Sequence, residues 1–180
     1  MERCFKLATS IDLHLASAAQ TQEKAVGGVT SGLIGEGETV QWQGRHFGRT
    51  RIHSSRIDGW RPFSYFRDVM VEGSFALFEH EHHFAMMDDG TRMRDEIRFA
   101  VPGLLGRLME RVVRRHLIAM LKQRNAVIKR VAESEEWRRY LVGTVAAPAR
   151  TQEKLVHGWD KGSALQRTDG RTATITPKLS

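Results

Sequence analysis

The sequence predicts an α+β domain, a curved antiparallel sheet wrapped around one long C-terminal helix. Two observations carry this. From Glu38 to Ala100 apolar and polar residues alternate with a period near two, broken by short turns that leave no room for crossover helices. After Pro102-Gly103 the period changes to that of a helix and holds to about Tyr140. The chain of 180 residues is long enough for one well-buried domain, expected over residues 1–142. Residues 143–180, rich in Thr, Ala, Gly, Pro and Lys with little periodicity, are expected to form a flexible tail.

Taken in order, Cys4 to Ile11 alternates weakly and predicts a first strand, and Leu13 to Val26 one or two short helices. Gly27-Gly28 ends that pattern, and the glycines that follow form no phosphate loop, because Lys24 precedes them instead of following. Strands are expected over 38–47, 49–57 and 63–71, then over the central stretch 75–84 and its return 91–99. In the helix Leu105, Met109, Val112, Val113, Met120, Val127 and Val131 fall on one side, with His116 and Gln123 among them.

Composition narrows the function classes. No run approaches the length of a membrane-spanning helix, and the N-terminus lacks the layout of a secretory signal. One cysteine, Cys4, cannot form an internal disulfide and fits a reducing compartment, so a cytoplasmic location is expected. The net charge of +7 is concentrated in the helix. Eight basic residues stand against Glu110 alone between Gly103 and Arg130. Arg107, Arg111, Arg114, Arg115, Lys122 and Lys129 share the side opposite the apolar stripe. That basic side has no interleaved aromatics and no reading motif, which argues against specific nucleic acid binding. A solvated face is its ordinary meaning, and transient contact with an anionic membrane is the more specific one.

The central strand poses the functional question. Side chains alternate between faces, so Phe78, His80, His82, Phe84 and Met86 share one face. On the return strand Thr91, Met93, Asp95, Ile97 and Phe99 point one way and Arg92, Arg94, Glu96 and Arg98 the other. Phe66, Asp68 and Met70 share a face of the preceding strand. Two histidines and two aspartates are thereby directed into a space that otherwise reads as core. Buried polar groups require partners. Four meanings stand open: a polar end that orients a ligand, a structural His–Asp network, a general acid/base pair, and a metal site completed by a carboxylate. The metal ranks last, because His83 points away from His80 and His82 and there is no His-x-x-x-His spacing or cysteine cluster.

The residues Phe66-x-Asp68-x-Met70-x-x-Gly73-x-Phe75-x-x-Phe78-x-His80-x-His82-x-Phe84, then Thr91-x-Met93-x-Asp95, Pro102-x-x-x-Gly106 and Arg124-Asn125, resemble the START-like (SRPBCC) superfamily of helix-grip proteins. The similarity is greatest to bacterial members described as cyclase/dehydrase-like or ligand-binding, and it spans roughly residues 4–140. It implies a deep cavity between sheet and helix that holds a hydrophobic or amphipathic, lipid- or polyketide-like molecule; with no cofactor loop in the sequence, no cofactor is expected. The expected ligand-binding residues are Phe66, Asp68, Met70, Phe78, His80, His82, Phe84, Met93, Asp95, Met109, His116 and Met120. The alternative is a polyketide cyclase/dehydratase-type enzyme in which His80, His82 and Asp95 supply acid/base catalysis. His46, His53, Trp42 and Trp60 either line the mouth or cap the sheet.

Overall fold

The computed structural model describes residues 1–103, 106–142, 171–175 and 178–179, with side chains described for 1–103 and 109–142. The chain opens on two short helices, α1 (Glu2–Ala8) and α2 (Ile11–Ser17). The first replaces the expected strand. Cys4, Phe5, Leu7, Ala8 and Ile11 are all buried, and their spacing of one, three, four and seven is that of a helix face. Ser10 separates the two helices, its Oγ accepting the Leu13 N–H at 3.2 Å as an N-cap.

Six strands follow: β1 (Lys24–Gly28), β2 (Thr39–His46), β3 (Arg49–Arg61), β4 (Tyr65–Glu72), β5 (Leu77–Met87) and β6 (Gly90–Ala100). They pair antiparallel, each with its sequence neighbour. β1 occupies residues expected to be helical or a glycine break. It is an edge strand with a bulge between Ala25 and Gly27. Gly28 has a φ of +68°, and a Cβ there would lie 2.1 Å from the Thr39 carbonyl oxygen, so no other residue closes this edge without a shift.

Of the expected tail, residues 143–170, 176, 177 and 180 lie outside the described residues. Two pieces of it are strands, β7 (Arg171–Ile175) and β8 (Lys178–Leu179), and both pair antiparallel with β6. The sheet therefore runs β1 to β7 in chain order, with β8 also on β6. Residues this far past the helix carry too little periodicity to announce a strand. They are held by the free edge that β6 offers.

The long helix α3 spans Gly106–Ala132, and a turn separates it from α4 (Trp137–Leu141), where one continuous helix was expected. The turn lets Tyr140 become buried and brings Trp137 under the Arg3 guanidinium, 4.6 Å from the ring centroid. The buried stripe of α3 also differs from the expected one. Val113, Leu117, Leu121, Asn125, Ile128, Val131 and Ala132 are buried, whereas Met109 and Val112 are exposed and Met120 and Val127 only half-buried. The stripe is turned by about a quarter of the circumference. Helices α1 and α2 pack against α3, so the sheet is not its only partner. Arg111, Arg114, Arg115 and Lys122 are exposed, and Arg124 is turned inward.

Phe5 joins α1 to the sheet. It is 2% exposed and makes edge-on ring contacts with Trp60, Phe63, Phe66 and Phe84 at 4.9–5.8 Å. Phe66 in turn stacks on the His82 ring, centroids 4.0 Å apart. The aromatic core thus ends on the first of the unexpected polar groups.

Candidate functional site

Register places the polar residues. Across β4 and β5, Phe66 faces His82 and Asp68 faces His80; across β5 and β6, His82 faces Asp95. Side chains on one sheet face also reach diagonally, and here the diagonals matter. His82 Nε2 lies 3.1 Å from Asp68 Oδ2, and His80 Nε2 lies 2.9 Å from Asp95 Oδ1. His80 Nδ1 is 3.6 Å from Asp68 Oδ2, and the two imidazole centroids are 3.8 Å apart. His82 Nδ1 is 2.8 Å from Asp95 Oδ1, close in distance but too bent to count as a hydrogen bond.

Two residues of α3 complete the network. Asn125 Nδ2 donates to Asp95 Oδ2 at 2.6 Å. Arg124 Nη1 stands 3.7 Å from Asp95 Oδ1, while Nη2 of the same guanidinium donates to the Ala8 carbonyl at 3.0 Å. Neither residue was among the expected site residues. The signal was present in the Arg124-Asn125 pair of the family-like pattern, but without knowing which way α3 faces the pair has no place in the site.

Burial grades across the network. Asp95 is fully buried and the His82 side chain nearly so, the His80 and Arg124 side chains are about a tenth exposed, and the Asp68 side chain is 21% exposed. Burial alone would raise the Asp95 pKa, but its contacts with His80 and His82 outweigh it and hold the carboxyl well below the ordinary range. Asp68 is lowered in the same way, against its own desolvation, by His82, His80 and Arg124. Burial, then the neighbouring His82, pushes His80 below the usual imidazole value. Two carboxylates are thus ionised around an imidazole disposed to stay neutral.

The other expected site residues separate into four groups. Phe66, Phe84 and Met93 are core, at 5% exposure or less. Met70 and Phe78 are half-buried on the face that carries Asp68 and His80, with Phe75 against Phe78 at 5.2 Å. Met109 is exposed, as is Met86, and Met120 half-buried. His116 belongs to a second cluster at the other end of the sheet. Its Nε2 is 3.2 Å from His46 Nδ1. His46 Nε2 is 3.6 Å from the buried Glu23, which also meets His14 Nε2 at 2.7 Å and accepts from Thr21 Oγ1 at 3.1 Å. His14 stacks on Trp42. Gln123 donates to the Ser17 carbonyl and so ties α3 to α2.

Two pockets stand out among the described residues, and neither is the expected deep cavity between sheet and helix. The crevice lined by Leu7, Ala8, Leu13, His14, Ser17, Arg124 and Ile128 has no room for a water molecule, because α1 and α2 close onto α3. An open groove of about 380 Å³ lies elsewhere, lined by Glu2, Arg3, Lys6, Leu33, Trp137 and Leu141. None of the four central His and Asp residues lines it.

Among solved structures, the chain is similar to TTHA0849 from Thermus thermophilus, with a TM-score of 0.58 and 18% identity over 74% of this chain and 91% of that one. It is also similar to Ara h 8.0201, with a TM-score of 0.50 and 13% identity over 71% and 88%. At these identities the likeness is one of fold, and the fold is helix-grip, a curved antiparallel sheet with a long helix. No family model and no curated protein matches the chain. Among the described residues no helix is long and apolar enough to cross a membrane.

Proposed function

We propose that this is a START-like protein that binds a hydrophobic or amphipathic small molecule on the sheet face carrying Asp68. The observation that carries the reading is the company Asp68 keeps. A carboxylate backed by two buried histidines stays partly open to solvent, on the same face as the half-buried apolar side chains Met70 and Phe78. Apolar surface beside a few fixed polar groups is the ordinary make-up of a small-molecule site. The polar end of the ligand, a hydroxyl or carbonyl, meets Asp68 and His80 while its body lies against Met70, Phe75 and Phe78. The helix-grip fold supports this, since it sets a curved sheet against a long helix. The exposed basic side chains of α3 would meet anionic lipid during exchange.

A fluorescence titration with two amphipathic probes, matched except for a polar head group, tests the proposal. Saturable binding is expected, and Asp68→Ala should weaken the polar-headed probe about five- to tenfold more than the apolar one, in line with one lost hydrogen bond to a charged group. Absence of saturable binding by either probe would refute it.

One observation favours a second reading, a cyclase/dehydratase-type enzyme. His80, disposed to be neutral, stands between two carboxylates at its two nitrogens, an arrangement suited to a general base. Conversion of a bound ketone, abolished by His80→Gln with retention of binding, would establish it; release of the ligand unchanged would exclude it for that compound.

A further inference from the structure

We propose that Asp68 Oδ2, His80 Nδ1 and His82 Nε2 are the ligand atoms of a divalent transition-metal site, with zinc as the ion that the donor set fits. The three residues come from adjacent strands, and each offers one ligand atom within 4.8 Å of the other two. The separations from Asp68 Oδ2 are 3.1 Å to His82 Nε2 and 3.6 Å to His80 Nδ1. Ligand atoms at about 2.0–2.1 Å from a tetrahedral ion are spaced about 3.3 Å from each other, between these two values.

The far side of each imidazole makes the stronger argument. A ligating histidine almost always turns its other ring nitrogen to a carboxylate or carbonyl. Here one atom, Asp95 Oδ1, stands by both far nitrogens, hydrogen-bonded to His80 Nε2 at 2.9 Å and 2.8 Å from His82 Nδ1, where the geometry is too bent for a hydrogen bond as it stands. Asp95 has no exposed surface, and its own position is set by Asn125 and Arg124. A neutral imidazole carries one N–H, and a fully buried carboxylate has the greater claim on it. With the His80 N–H on Asp95, its near nitrogen presents a lone pair toward Asp68 Oδ2; His82 presents one there in the tautomer that carries its N–H on Nδ1, beside Asp95. In that tautomer three donor atoms held by buried supports face one small space. Charging both rings instead would place two cations 3.8 Å apart. A divalent cation satisfies all three at once.

Asp68 is the exposed corner of the triangle, so a fourth coordination position would face the sheet surface that holds Met70 and Phe78. Such an open position takes a water, a hydroxyl or a carbonyl oxygen, as in catalytic zinc sites with two histidines and one carboxylate. The inference goes beyond the ligand-binding reading and does not depend on it, since an ion can be held with no organic molecule present.

The outer face supplies an internal control. Glu81, His83 and Glu96 also cluster there, but all three side chains are about a quarter exposed, His83 Nε2 already pairs with Glu81 at 3.1 Å, and Arg94 pairs with Glu96 at 2.5 Å. Chelator-treated full-length protein should be titrated with zinc by calorimetry and with cobalt by visible absorption. One tight equivalent is expected, with cobalt bands of a four-coordinate site. Asp68→Ala and His80→Ala should each lose it by well over a hundredfold, Asp95→Asn should weaken it about ten- to a hundredfold, and His83→Ala should leave it unchanged. Asp68→Ala leaves the buried pairs with Asp95 in place, so misfolding does not imitate the result. Absence of a tight equivalent in the wild-type protein, or its loss in His83→Ala and survival in Asp68→Ala, would overturn the proposal.

Discussion

Two of the histidine–carboxylate clusters on this sheet, the central one and the one at its rim, are built from the same residue types to different effect. In the central one, on β4, β5 and β6, a single buried carboxylate, Asp95, faces both histidines from behind, so their remaining nitrogens converge on Asp68. In the rim cluster the rings form a chain: His14 and His46 meet Glu23, and His46 passes on to His116. The rim is also wetter, with the His14 and His46 side chains 30% and 18% exposed. Convergence in a dry place is what the proposed site rests on, whereas a chain at an edge fastens α2, β2 and α3 together. Burial and a second partner for each ring decide which of the two a pair of histidines becomes.

Removing the carboxylate from each cluster is the sharpest way to break the comparison. Asp95→Ala leaves two imidazoles and a guanidinium facing an empty centre, and should cost about 3–5 kcal/mol in urea unfolding. Glu23→Gln keeps a hydrogen-bonding group against partly solvated histidines and should cost only about 1–3 kcal/mol. Equal losses would mean the clusters serve the same purpose. Gly44→Ala addresses the rim alone: a Cβ there would lie 2.8 Å from Glu23 Cγ and 3.2 Å from His46 Nε2. A cost of about 1–2 kcal/mol from that crowding is expected, with zinc affinity unaltered.

Acid should act on both clusters, since burial and His82 lower the pKa of His80 in the centre. Burial lowers the pKa of His53, and burial followed by His46 lowers that of His116; burial opposes ionisation of Glu23, yet His14, His46 and Thr21 lower its pKa in sum. A group whose pKa is lower in the folded chain binds fewer protons there than when unfolded, so stability falls as pH falls. The histidine part is lost from about pH 6.5 downward, and the carboxylate part, shared with Asp68 and Asp95, from about pH 4 downward. His116→Gln should flatten the upper part of the profile slightly and leave the lower part in place. A profile level from pH 7 to 5 would contradict the assignment.

Much of this was legible in the sequence, and the gaps have physical causes. Alternation along 75–84 and 91–99 put His80, His82 and Asp95 on one face, and the structure brings them together with Asp68, because a period of two leaves a strand no freedom about which side chains are neighbours. Helix α1 was missed because seven residues fit either period, and only the spacing from Cys4 to Ile11 separates them. With α1 unseen, nothing in the pattern showed that α3 is covered from a second side, and so Met109 was placed inward and Leu117, Leu121 and Asn125 were not. His116 was assigned to the ligand site for the same reason. β7 and β8 depend on pairing with a distant edge, which local sequence does not encode.

The most direct test of ligand binding at Asp68 is native mass spectrometry of the wild-type protein and Asp68→Ala, both purified untagged from the natural host, with extraction and identification of any bound species. The wild-type protein should carry an organic mass that folded Asp68→Ala retains poorly. Equal loading of the two, or an empty wild-type protein that takes up no probe, would contradict the placement of the site.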